Sequence, residues 1–555
     1  MKKIVMSLLY VAGLIMMVGC SSDEVSQEKP IARKTTAFMM KEAAVTSAAP
    51  AGSRTAGTYT GSQLDFFWTA NDHLWVNNPS ATPALVESSS SNLAEQLVGG
   101  VSKVPTAKFW FEGEYTDPSY VVRYTGRNSS AGDKVIISPV QEQQSPAEAT
   151  QIGMVGDCGT ATATYSAAAQ HYEFTLDHKA AYLTLLPYST LYTGEKVSKI
   201  KITASSPIAG TFDFTDAGLA TTAPQNPSTT ITMTLQGNDG SGFPIANAPN
   251  RLVNSSTIVL APGTYSTFDI EYTVTHPISH IQGTVTKHYT NVTFNPGKNK
   301  KLNFDLPYPV TPGRYLFEDG TTGTIGEKGS HTIVGVVVRE KTATEDGMAV
   351  ALHSCSVYHL GWQGSRGSDQ YTAQQWNNVM YPNFTDAARD MDGYKYTWEG
   401  AGSWDGTTVK ATSTSPFFSA FKDGTSTTGI ENAGAITFAH GKRGKWFVPS
   451  VGQMMLAIQV LGNISVLPTM AGQTSGEGDY TYMYNVFNVE RAAVFGTLGL
   501  VGVPDSEMWT STQADASHAY TVRAIIDGGY TKISYVIDKA ELNHWTGVVN
   551  PFIYF

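Results

Sequence analysis

The chain is poor in cysteine, in charge and in long apolar runs, and each shortage excludes something. Only Cys20, Cys158 and Cys355 occur in 555 residues. The last two fall in segments assigned below to different domains, so no disulfide framework is expected and packed cores must carry the stability. Charged residues make up 15% of the chain against 41% hydrophobic, with Gly, Thr, Ser and Asn filling the gap, a composition suited to exported β-rich proteins. Lys and Arg number 37 against 47 Asp and Glu, a net charge of −10. With no broad cationic field, nucleic acid and anionic lipid are poor candidate partners. Beyond residue 20, no run approaches the ~20 apolar residues that a membrane helix needs.

What is present begins at the N-terminus. Lys2 and Lys3 precede the apolar run Ile4 to Val18, which is short for a bilayer span, and Gly19 stands before Cys20. The stretch Met17-Val18-Gly19-Cys20 resembles the lipobox of bacterial lipoproteins, with Met17 where Leu is usual. That resemblance implies a signal peptide over residues 1–20, acylation of Cys20 as the mature N-terminus, and membrane attachment through this lipid alone. A plain signal peptide with a chance cysteine is the alternative. A polar tether follows to about Lys34, then a potential strand from Thr35 to Val45, then the small-residue loop Ala48 to Ser53 and Arg54-Thr55. One basic residue in such a loop is an accessible protease site.

A chain of this length predicts three or four domains. From about Gly61 the period is two: Phe109 and Phe111, Tyr120 to Tyr124, Val135 to Ile137, Ile200 with Ile202 and Ala204, Ile231 with Met233 and Leu235, and Phe268 to Val274. Val292 and Phe294 face Leu302, Phe304 and Leu306 across Pro296-Gly297, which reads as a hairpin. Residues 56–307 therefore read as two antiparallel β-sandwiches joined near Tyr188 to Glu195. Pro307 to Pro312 is a stiff linker. Past it tryptophan is enriched and helix signals emerge: Ser415 before Pro416, and Ser450 with Gln453 as a capping box opening Val451 to Leu461. There Met454, Met455, Ile458 and Leu461 share a face. With strand candidates at Ile333 to Val338, Met348 to Leu352 and Tyr520 to Ile525, the third region reads as a compact α+β domain.

Several patterns, taken in order, resemble the fimbrillin family of type V pilus subunits: Arg54-Thr55, then Phe67-Trp68, then Asn71-Asp72-His73-Leu74-Trp75-Val76; Tyr120 to Tyr124; Pro139-Val140-Gln141; and Phe174, His178, Ala181 and Leu183 running on to Val197–Gly210. The third region is similar to a C-type-lectin-like module in Gly313 to Thr321, Ile333 to Val337, Gly347 to Leu352, Lys445 to Gln453, and Trp509 to Thr512 with Ala519, Tyr520 and Val522. The resemblance implies a mainly β chain with fimbrillin-like sandwiches at 56–187 and 188–307 and a C-type-lectin-like domain at 313–555. Residues 21–55 would hold the tether and a removable N-terminal strand. It implies export as an outer-membrane lipoprotein precursor, cleavage at Arg54 with Arg33 as rival, and donor-strand exchange with other pilus subunits. A chain ending in a lectin-like domain in place of a donor tail implies a pilus-tip or pilus-associated adhesin at the cell surface. The alternative is a surface lipoprotein that never polymerises and binds glycan or protein through its C-terminal domain.

No enzyme chemistry emerges. His276 and His280 have metal-like spacing, but Pro277 breaks a helical pair. Cys355 lies between His353 and His359, with no third group to orient a nucleophile, and reads as a core residue. Asp386, Asp390 and Asp392 precede Gly393 without the register of a calcium loop and read as an acidic helix end. No catalytic, metal or cofactor residue is therefore assigned. The candidate ligand contacts are Trp362, Trp376, Trp398 and Trp404, which stand in a Gly/Ser/Asp-rich stretch where exposed aromatics would stack on sugar rings or anchor a protein; core packing is the competing reading of each.

Overall fold

Apolar residues at every second position put one face of most strands into a core. The computed structural model describes residues 34–40, 56–190, 194–276, 278–307, 309, 313–351, 355–356, 360–362, 364–365, 374–413, 415–419, 421, 444–461, 480–484, 507–527, 532–541 and 548–555. Among these the chain is mainly β. The first sheet runs, in spatial order, through Leu85–Glu87, Trp75–Asn77, Ser119–Tyr124, Gly159–Ser166, His171–Phe174, Thr35–Met40, Lys108–Glu112 and Ser90–Ser91. Its buried side includes Phe38, Val76, Phe109, Phe111, Val122, Tyr124 and Phe174, which pack with Trp68 and Leu74. The strand nearest the N-terminus therefore lies inside this sheet. Thr35–Met40 pairs antiparallel with Lys108–Glu112 and parallel with His171–Phe174.

A second core is built on the sheet Val140–Gln143, Thr230–Leu235, Lys196–Ala204, Gly263–Thr275 and Gln282–Phe294. The three-stranded sheet Ser256–Leu260, Ala181–Tyr188 and Asn299–Asp305 shares that core. The alternating residues Ile200, Ile202, Ile231, Met233, Phe268, Ile270 and Tyr272 are buried in it as their period requires. Two expectations change here. The expected hairpin at Pro296-Gly297 is a crossing: Gln282–Phe294 pairs with Gly263–Thr275, whereas Asn299–Asp305 pairs parallel with Ala181–Tyr188. Gly297 holds the crossing with a positive φ of 68° and an amide that donates to Ala180 O at 2.7 Å. The join expected near Tyr188 to Glu195 links two sheets of one core, because Leu183 and Leu185 pack in the same cluster as Val197 and Ile200. That cluster also takes in Tyr59, Leu64, Phe66, Val135, Ile137 and Ile152 from the N-terminal side, so the two sandwiches interlock.

The third region contains a five-stranded sheet, Thr322–Gly323, Tyr315–Phe317, Ile333–Arg339, Met348–Ala351 and Phe552–Tyr554, so its first and last strands meet in one layer. A six-stranded sheet includes Glu507–Gln513, His518–Asp527 and Lys532–Glu541. Helix Val451–Leu461 packs between them, burying Val451, Met454, Met455 and Leu456; the side chains of Ile458 and Leu461 lie outside the described residues. Half of the expected capping box forms: Ser450 N donates to Gln453 Oε1 at 2.9 Å, while the Ser450 hydroxyl donates to Asp390 O at 2.6 Å. A Cβ at Gly452 would come within 2.3 Å of Asp390 O, so this helix start requires glycine. Gln453 Nε2 donates to the Tyr554 hydroxyl at 2.8 Å, tying the helix to the last strand.

Glu195, at the head of strand Lys196–Ala204, is 2% exposed, and among the described residues neither of its carboxylate oxygens has a hydrogen-bond partner on another residue. Burial raises its carboxyl to about 7. Because the folded pKa exceeds the unfolded value of ~4.3, this group's favourable contribution is complete at lower pH and is lost as pH rises toward the folded pKa. Glu195→Gln should therefore raise the unfolding free energy by ~1–3 kcal/mol at about pH 8 and leave it nearly unchanged at about pH 4. Denaturant titrations at the two pH values check this.

Candidate functional site

Two places in the fold hold the residues that the sequence singles out. The first is the slot now filled by Thr35–Met40. Every second residue of this strand points into the core, and Phe38 and Met40 are almost fully buried. The Phe38 ring stacks on Tyr172 at 4.6 Å and meets Phe111 and Tyr115 edge-on at 5.0 and 5.4 Å. Trp68 Nε1 donates to Met40 Sδ at 3.3 Å. At the other end Lys34 pairs with Glu114, and Gly113 N donates to Lys34 O at 2.7 Å. Both neighbouring strands spend their inner backbone groups on this one strand, so its removal would leave an apolar slot with two unpaired edges. Cys20, Arg33, residues 41–45 and Arg54 lie outside the described residues.

The second place is the stretch that carries the four candidate tryptophans, and they part company. Trp362 is fully buried, parallel to Phe417 at 6.1 Å and edge-on to Phe418 at 5.0 Å, so it is a core residue. Trp376 and Trp398 are half-buried against the same core. Trp398 Nε1 donates to Trp446 O at 2.9 Å, and Lys445 Nζ stands 4.3 Å over its ring. Trp404 is 64% exposed.

The backbone under Trp404 is held firmly. Its amide donates to Trp376 O at 3.2 Å, and Asn377 bridges Ser403. Asp405 accepts from the amides of Thr407 and Thr408 at 2.9 and 2.8 Å and from the Thr408 hydroxyl, and these bonds hold its carboxyl down at about 2. Below the turn lies Lys410, 1% exposed, whose Nζ donates to Asn377 Oδ1 at 2.8 Å and Gly402 O at 3.2 Å and stands over the rings of Phe418 and Tyr396. Burial lowers this amine to about 7. Gln513 Oε1 accepts from the amides of Trp376 and Asn377 at 2.8 and 3.0 Å, fastening the segment to strand Glu507–Gln513. Sequence reasoning did not single out Lys410 or Gln513, because their positions carry no burial signal.

The remaining candidates have structural partners. His276 Nδ1 accepts from the amides of Ile278 and Ser279 at 3.3 and 3.0 Å, while His280 Nε2 lies 3.1 Å from Glu345. Asp386 sits in a helix cap with Asn383, and Asp392 pairs with Lys395 at 3.0 Å. Asp390 is buried, accepts from the Thr512 hydroxyl at 2.6 Å, and is raised by burial to about 6. Among the described residues no three His, Cys, Asp or Glu side chains are grouped to hold a metal ion. Strand Cys355–Ser356 is paired with Val548–Val549, but the Cys355 side chain, like His353 and His359, lies outside the described residues; Cys158 is a buried free thiol. Asp157, His178 and Tyr182 form an acid–base cluster that the sequence reading also missed, with His178 Nδ1 2.7 Å from Asp157 Oδ1. The imidazole is covered by the Phe66 ring at 3.9 Å, and the cluster is enclosed in the core, out of a substrate's reach.

The chain matches no protein-family profile. It matches no curated protein either. Among solved structures it is similar to a Bacteroides ovatus protein assigned to cell adhesion, at 11% identity and a TM-score of 0.29 over 53% of this chain and 96% of that one. A fimbrial protein of Bacteroides ovatus aligns at 10% identity and a TM-score of 0.26 over 94% of this chain and 100% of that one. A fimbrial assembly protein of Parabacteroides distasonis aligns at 9% identity and a TM-score of 0.25 over 54% and 98%. At such scores the likeness carries no weight for function, which rests on the chain's own geometry.

Proposed function

We propose that this chain is a pilus-tip or pilus-associated adhesin, exported as a lipoprotein through Cys20, cut at Arg54 and assembled by donor-strand exchange. The observation that carries the reading is the placement of Thr35–Met40: one short strand, wedged between two later strands and joined to the rest of the chain by the segment that contains Arg54. A cut there turns a covalent part of the sheet into a bound peptide. Another subunit's strand can then compete for the same ladder bonds and apolar pockets. The third region, whose first and last strands share a sheet, fits a lectin-like body that presents Trp404 to glycan or protein.

In the native cell, chains sheared from the surface should begin at Thr55, and Arg54→Ala should leave the protein membrane-bound through Cys20; mass spectrometry of both fractions reads this. Surface chains that begin at Cys20 and keep the strand would instead indicate the lipoprotein that does not polymerise. On a glycan array with the full chain, Trp404→Ala should abolish binding with an unchanged melting temperature. Trp362→Ala should cost ~3–5 kcal/mol of stability, as a cavity mutation does. Binding unchanged by Trp404→Ala removes that residue from the site. Lys410→Met should destabilise the third region by ~1–3 kcal/mol through the unpaired Asn377 Oδ1, since Gly402 O keeps its bond from Asn378 N, measured by chemical denaturation.

A further inference from the structure

We propose that the slot under Thr35–Met40 selects its partner by side chain: it takes an extended strand with an aromatic ring at the Phe38 position and a thioether two residues later. This rests on the strand-exchange reading and adds the chemistry of the donor.

The Phe38 pocket is a cage of rings, with Tyr172 as its floor and Phe111, Tyr115 and Tyr120 as its walls. Two of these rings are held in place without help from the strand. The Tyr172 hydroxyl donates to Asp117 O at 2.6 Å and Tyr115 O at 3.1 Å, and the Tyr120 hydroxyl accepts from the amides of Thr116 and Asp117, each at 3.1 Å. None of these bonds involves the inserted strand, so these two rings keep their hydroxyl anchors for an incoming ring. Stacked and edge-on geometry rewards an aromatic beyond its buried area, and an aliphatic side chain forfeits that share. At the next inward position the Trp68 indole N–H is spent on Met40 Sδ. A Val or Ile there would leave a buried donor unpaired. The outward positions Ala37 and Met39 are only half-buried and impose less. Direction is set as well, because the donor must run antiparallel to Lys108–Glu112 with its aromatic opposite Phe109, and parallel to His171–Phe174 with it opposite Tyr172.

The test uses the full chain, cut in the 41–55 segment at Arg54 or at an inserted protease site, and incubated with labelled hexapeptides of sequence TTAFMM and its variants. Native mass spectrometry counts exchanged peptide. The parent peptide and its Phe→Tyr variant should exchange in, Phe→Leu should be retained about tenfold less, Phe→Ala about a hundredfold less, and the final Met→Val about tenfold less. Equal retention of all variants would overturn the cage selectivity while leaving strand exchange intact. Failure of every peptide, the parent included, would overturn both.

Discussion

Among the described residues, the inner backbone edges of Lys108–Glu112 and His171–Phe174 are paired by Thr35–Met40 alone, and the first sheet depends on that fact. A strand between two others satisfies amide and carbonyl groups on both sides at once. Here the strand doing so comes from the far N-terminal end of the described chain, ahead of everything it holds together. The sheet thus contains, between two strands from much later in the chain, an element supplied by its earliest described residues. Phe38 and Met40 add the apolar half of the bond, so the strand is bound as a ligand is bound, by a ladder and two pockets.

The third region solves a different problem: keeping an indole in water on a surface of fixed shape. Hydrogen bonds to neutral groups set that shape. Lys410 reaches Asn377 and Gly402, Gln513 takes two amides, and Asp405 closes the turn, so the backbone under Trp404 is fixed from several sides. A buried amine among carbonyls and rings is costly unless each donor is used. Its presence beneath the exposed tryptophan means that burial cost is being offset by a defined loop shape.

Much of the β architecture was legible because period two survives in single strands: Ile200 with Ile202, Ile231 with Met233, and Phe268 through Tyr272 all point inward as read. Partnership was less legible. Pro296-Gly297 carries every local sign of a hairpin turn, yet its amide is claimed by Ala180, far away in sequence, and the chain crosses between sheets. The tryptophans make the same point, since Gly361-Trp362-Gln363-Gly364 and Ser403-Trp404-Asp405-Gly406 look alike as sequence. Only the arrival of Phe417 and Phe418 over the first decides which ring is core. That Thr35 begins a strand was readable; that this strand runs parallel to His171–Phe174 was not, because parallel partners leave no turn between them.

The interlocking of the two sandwiches sets the size of the unit that folds. Segments 56–67 and 134–152 supply side chains to the same core as 181–306, while the first sheet closes around residues on either side of them. No single break in the chain between residues 56 and 306 separates the two halves without halving a core. Cooperative unfolding of that whole span follows, and gene fragments or chimaeras spliced at residue 188 would inherit one exposed apolar face each.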